Sequence, residues 1–142
     1  MLESMLFGQV ANFKTESEMD LEKLILAINA NLKKSIVVKK AEEMPENFHS
    51  RYNCKEKTYR YVINNGKYPS AIYKSLEYHV PQKLDIERMK EAVRYFEGTH
   101  DFKGFKASGT SSKSSVRTIY KTKIEEHDER IIIELTGNRF FI

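Results

Sequence analysis

Apolar residues recur at helical spacing in two stretches of the chain. Leu21, Leu24, Ile25 and Ile28 fall on one helical face behind Asp20, which predicts an N-capped helix running to about Asn31. Ile86, Met89, Val93 and Phe96 do the same behind Asp85, and Gly98 supplies a stop, so a second helix is expected over about 85–96. Elsewhere the pattern alternates or runs apolar, as strands do. Candidate strands are a short one over Gly8–Phe13, one over Ser35–Ala41 that Pro45 interrupts, and a longer one over Tyr52–Ile63. Two more, about Thr118–Glu125 and Ile131–Thr136, flank a hairpin connection at His127–Arg130. Asn64-Asn65-Gly66 reads as a turn, the segment 67–78 as irregular, and Ser108–Ser115 as a Ser/Thr/Gly/Lys loop. Five strands, mostly adjacent in sequence, with two helices predict an α+β fold: mostly antiparallel sheets with helices on one face.

Composition narrows the class. At 142 residues, with 40% hydrophobic and 31% charged positions, the chain suits a globular domain rather than a disordered one. It contains no run approaching a membrane span and no leader layout, so no membrane partner is expected. Cys54 is the single cysteine, which excludes a disulfide framework and fits a reducing, cytoplasmic compartment. Four scattered histidines beside one thiol give no zinc-ligand spacing, so no metal is expected.

The formal charge of +4 hides an uneven distribution. Arg51–Lys74 holds six Lys/Arg against one acid, Glu56, and Lys103–Lys123 holds six Lys/Arg and no acid. Two basic stretches on an otherwise acidic chain suit a polyanion better than the overall balance does.

Chemistry concentrates in the first of these stretches. In Lys55–Tyr61, Tyr59 and Tyr61 share a strand face and cations interleave them; five of the eight tyrosines lie between Tyr52 and Tyr73. An aromatic face can stack an extruded base while Lys and Arg neutralise phosphates. The competing reading makes Tyr59 and Tyr61 ordinary sheet residues packed on a core. His49 and Arg51, just upstream, are candidate base or phosphate contacts or simply turn residues. Asp101 could be a catalytic carboxylate, though a loop cap is the commoner role for such a residue. No Gly-rich phosphate cradle, nucleophile elbow or Ser/His/Asp trio is present.

Several motifs, in order, carry a resemblance: GQVANFKT, the Ile28–Leu32 helix end, FHSRY (Phe48–Tyr52) and KTYRYVI (Lys57–Ile63). FEGTHDF (Phe96–Phe102), VRTIY (Val116–Tyr120) and GNRFFI (Gly137–Ile142) follow. Over about Gly8–Ile142 the chain resembles the tRNA pseudouridine synthase A family, the TruA type. The resemblance implies two α/β domains meeting at a basic cleft, a homodimer, tRNA as partner, and neither metal nor organic cofactor. The expected division is 1–47 as the remnant of an N-terminal domain and 48–142 as an incomplete catalytic-type domain. By motif, Tyr59 corresponds to the tyrosine that stacks on the target base. His49, Arg51, Lys57, Arg60 and Arg117 are the implied RNA contacts.

The reaction implied is isomerisation of uridine to pseudouridine in the tRNA anticodon arm: the glycosidic bond breaks, the uracil turns, and C5 rejoins the sugar. In the family a carboxylate is essential, an Asp in a Gly-Arg-Thr-Asp-Ala-Gly-Val-His motif ahead of GQV. Counted back from Gly8 that position is Met1, and the only nearby acid is Glu3, displaced by two. The chain also ends on the apolar run Phe140-Phe141-Ile142, where a polar fringe is usual. The expectation is therefore an inner portion of a larger enzyme, inactive by itself. The alternatives are a non-catalytic RNA-binding module and an inert remnant.

Overall fold

A computed structural model describes residues 8–105, 114–138 and 140. Met1–Phe7, and with them the positions of Met1 and Glu3, lie outside the described residues, as does most of the Ser/Lys loop. The chain forms two compact units, Gln9–Asn53, and Cys54–Ile142 together with Met1–Gly8.

The smaller unit is built on α1 (Leu21–Asn31). Asp20 caps it, its carboxylate accepting from the amides of Glu22 at 2.9 Å and Lys23 at 3.3 Å. These bonds satisfy donors that the first helical turn otherwise leaves free. Leu21, Leu24, Ile25 and Ile28 form a half-buried stripe, as their spacing predicts.

Neither strand expected in this unit forms. Around Val38 the cause is visible: Asn29 Nδ2 donates to its carbonyl at 2.9 Å and Asn29 Oδ1 accepts from its amide at 2.8 Å. A side-chain amide thus takes both backbone groups that a neighbouring strand would use. Residues 8–13 likewise pair with no strand; Asn12 Oδ1 instead accepts from the Ser50 amide at 2.9 Å.

The larger unit is a five-stranded sheet in the order β2-β1-β5-β4-β3. Its strands are β1 (Lys57–Asn64), β2 (Tyr78–His79), β3 (Gly98–Asp101), β4 (Val116–His127) and β5 (Arg130–Gly137). All neighbours are antiparallel except β1 and β2. The fold class is α+β, as expected, with different membership: β2 and β3 take the places of the two strands that do not form. β1 also starts at Lys57, later than the expected Tyr52.

The β4–β5 hairpin turns through Asp128 and Glu129, with His127 opposite Arg130. Asp128 adopts φ 54°, a left-handed conformation that Asp tolerates better than most side chains. Helix α2 (Ile86–Arg94) packs on β4, with Asp85 as its cap, accepting from the Arg88 amide at 3.1 Å. Gly98 then turns the chain into β3 at φ 99°.

Register fixes the two faces of the sheet. Tyr59, Tyr61 and Ile63 stand opposite Leu135, Ile133 and Ile131, so these six share one face. There Tyr61, Ile124, Ile133 and Leu135 meet Met89, Ala92, Val93 and Phe96 of the α2 segment across an open apolar cleft of about 300 Å³. Val93, Ile119 and Ile131 are the buried hydrophobic residues among those described. The opposite face carries Thr58, Arg60, Val62, Glu134, Lys121 and Lys123.

Two polar joints secure this layer. The Glu97 carboxylate accepts from the Thr122 amide at 2.8 Å and its hydroxyl at 2.7 Å, tying the end of the helical segment to β4. Glu77, side chain 3% exposed, accepts from Asn64 Nδ2 and Arg130 Nε, each at 2.8 Å, and so fastens the irregular segment after β1 to the hairpin.

Candidate nucleic-acid interface

Tyr59 sits near the start of β1 on the helix-bearing face, two residues before Tyr61. The two tyrosines have different surroundings. Tyr61 lines the cleft beneath α2, whereas the Tyr59 ring meets Phe140, centroids 4.5 Å apart and planes at 60°. Burial pushes the Tyr59 phenol above its ordinary 10.0, with Tyr61 and the Cys54 thiol acting in the same direction.

Lys57, the first residue of β1, is exposed and shares the Tyr59 face, opposite Gly137. Arg60 projects from the other face. Its Nη2 lies 2.7 Å and its Nε 2.8 Å from Glu134 Oε1, so its charge is already answered within the sheet. Tyr59 and Lys57 are thus brought together, and Arg60 is separated from them.

Arg117 is buried, 6% exposed, in β4 opposite His100, with Nη1 donating to the Val116 carbonyl at 2.6 Å. A guanidinium so enclosed serves the interior of the sheet as it stands. Asp101 accepts from the Lys103 amide at 3.0 Å; its bond to Ser115, foremost, and its contacts with Lys103 hold its carboxyl below the usual range. Its geometry is that of a loop cap joining β3 to the 3-10 turn Lys103–Phe105.

His49 and Arg51 belong to the smaller unit, where they share one turn. The His49 amide donates to Asn53 Oδ1 at 2.8 Å, the Asn53 amide returns a bond to the His49 carbonyl at 2.8 Å, and the Arg51 amide donates to His49 Nδ1 at 3.2 Å. The His49 ring is thereby an acceptor at Nδ1, and it lies 4.2 Å from the exposed Tyr52 ring. This turn presents an imidazole, a guanidinium and a phenol in succession, groups suited to stacking and phosphate contact.

Phe140 and the Gly137-Asn138 pair are site residues that the strand patterns do not reveal. GNRFFI stood out only as a motif, because its side-chain roles depend on a pairing with β1 across most of the chain. Among the described residues no group of His, Cys, Asp and Glu has metal-binding geometry. No described helix is long and apolar enough to cross a membrane.

Comparison with known proteins bears on the family. Residues 92–141, which include the last three residues of α2 and all of β3, β4 and β5, match the family model described as tRNA pseudouridine synthase. Among curated relatives, the tRNA pseudouridine synthase A of Acetivibrio thermocellus is 45% identical over 133 residues, covering 94% of this chain and 54% of that protein. That of Thermoanaerobacter sp. is 44% identical over 132 residues, 93% of this chain and 54% of its own length. The tRNA pseudouridine synthase A 2 of Clostridium perfringens is 44% identical over 131 residues, with 92% and 54% covered. The chain is similar to the tRNA pseudouridine synthases A and spans about half the length of the curated relatives it matches.

Proposed function

We propose that this chain holds the tRNA anticodon arm for a pseudouridine synthase, with an extruded uridine stacked on Tyr59 and the RNA backbone met by Lys57; His49 and Arg51, in the smaller unit, are backbone contacts of that unit's own. The observation that carries this reading is the position of Tyr59: its ring is half-buried and backed by Phe140, with a lysine on the same sheet face. Taking a base out of its stack costs a few kcal/mol, and an aromatic platform returns about 1–3 kcal/mol of it. Arg60, paired with Glu134, and Arg117, enclosed in the sheet, act by shaping the platform rather than by touching phosphate. The same reading gives a cytoplasmic homodimer without metal or organic cofactor, as the family resemblance implies.

Isomerisation needs the family's carboxylate, and no acid in the 142 residues stands at the matching position. The polypeptide by itself is therefore expected to bind anticodon-arm RNA without turning it over. A tritium-release assay on tRNA labelled at uridine C5 tests the second half of this statement, and turnover by the purified chain contradicts it. An electrophoretic shift at two salt concentrations tests the first half. Retained affinity with a steep salt slope supports the RNA-binding surface, while no shift at low salt favours the inert reading.

A further inference from the structure

The Tyr59 platform depends on how the end of β5 meets β4. At Gly137 the two strands approach unusually closely. A Cβ there would lie 2.7 Å from the Thr118 carbonyl oxygen, 3.1 Å from Ile119 Cδ1 and 3.4 Å from Phe140 Cζ. The first distance is closer than a real Cβ tolerates, so only glycine fits. Immediately after it, the Asn138 amide donates to the Thr118 carbonyl at 3.0 Å, and Asn138 Oδ1 accepts from the Thr118 amide at 3.1 Å.

One residue thus satisfies both backbone groups of Thr118 on the β5 side. On the other side the Thr118 hydroxyl meets the Thr99 hydroxyl of β3 at 2.9 Å. The β4–β5 register shifts between Ile119 and Lys121, a bulge that would otherwise loosen the pairing here. Asn138 restores it with a side chain. Two residues on, the chain delivers Phe140 to the Tyr59 ring.

We infer that Asn138 is a positioning residue: its two bonds to the Thr118 backbone set where Phe140 lies, and so fix the orientation of the Tyr59 ring toward a base. The inference rests on the base-stacking role proposed for Tyr59, but its structural half can be tested without RNA.

The test combines Asn138→Ala and Phe140→Leu with two readouts. The first is the ionisation of the Tyr59 phenol, isolated by subtracting the tyrosinate absorbance titration of Tyr59→Phe. The second is the affinity for a synthetic anticodon-arm RNA. Both variants should bring the Tyr59 titration down toward its ordinary value, because the ring loses its cover. Glu77→Gln, at the far end of β1, loosens the fold generally and should leave that titration where it is.

Asn138→Ala should weaken RNA binding about three- to tenfold, and Tyr59→Ala should absorb that loss in the double variant, as residues acting through one another do. An unmoved Tyr59 titration in either folded variant overturns the inference, as do losses that simply multiply. If Asn138→Ala gives no cooperative melt, Phe140→Leu decides by the same titration. If Tyr59→Ala leaves RNA affinity intact, base stacking falls while the titration still judges the positioning.

Discussion

The Tyr59 ring lies 4.5 Å from that of Phe140, centroid to centroid, with the two planes at 60°. Tyr61, on the same face of the same strand, instead lines the open cleft with Ile133, Leu135 and Val93 and stays 53% exposed. Two tyrosines of identical spacing and orientation therefore do different work. The Phe140 ring beside Tyr59 and the open cleft beside Tyr61 make the difference.

Stacking uses the face of a ring rather than its hydroxyl, so Tyr59→Phe should keep anticodon-arm affinity within about twofold. Fluorescence anisotropy with a labelled arm reads this directly. A loss near tenfold would give the hydroxyl a role that stacking does not need.

Lys57 and Arg60 separate by sheet face. Each phosphate neutralised contributes about 0.7 to the slope of log affinity against log salt for single-stranded nucleic acid. Lys57→Ala should reduce that slope by roughly this amount. Arg60→Ala should leave it unchanged, because Glu134 already neutralises Arg60 on the opposite face. The reverse outcome would mean that the RNA lies across the other side of the sheet.

Glu77 sets an acid limit on stability. Burial alone would raise its carboxyl, but hydrogen bonds from Arg130 and Asn64, with the charge of Arg130, outweigh that and hold it below its ordinary 4.5. A depressed carboxylate stabilises the fold above its unfolded value. That stability is lost as pH falls through the lower folded value. Glu77→Gln should thus lower the melting temperature at neutral pH and flatten its decline below about pH 4.5. The cost at neutral pH should fall at the lower end of the about 1.5–3 kcal/mol typical of charged hydrogen bonds, since Arg130 is half in solvent. Thermal melts at several pH values check both parts.

Ile131, 1% exposed, is the most enclosed large side chain among the described residues. Ile131→Ala should cost about 2–5 kcal/mol in chemical denaturation, toward the low end because the neighbouring cleft is open and can relax. A loss well under 1 kcal/mol would mean that this layer contributes little to the fold.

Both helices were legible from apolar spacing and an Asp cap, because capping and periodicity are local properties. The β4–β5 hairpin was legible for the same reason, and so was the pairing of aromatic and basic residues around Tyr59. The strand expected at Ser35–Ala41 was not, since Asn29 supplies from within a helix the hydrogen bonds that a strand partner normally gives. β2 and β3 span two and four residues, too short for alternation to show. Arg60 and Arg117 looked alike as cations in basic stretches, and only the register assigns one to a Glu134 ion pair and the other to the interior. Phe140 was hidden because its partner Tyr59 is remote in sequence, and a motif shows that residues recur together without showing what each one touches.

The most direct measurement is the effect of Tyr59→Ala on two RNAs, an anticodon arm with its loop and a fully paired duplex of the same stem. Stacking of an extruded uridine predicts roughly a tenfold loss or more for the arm and almost none for the duplex. An equal change for both, or none for either, would contradict the role given to Tyr59.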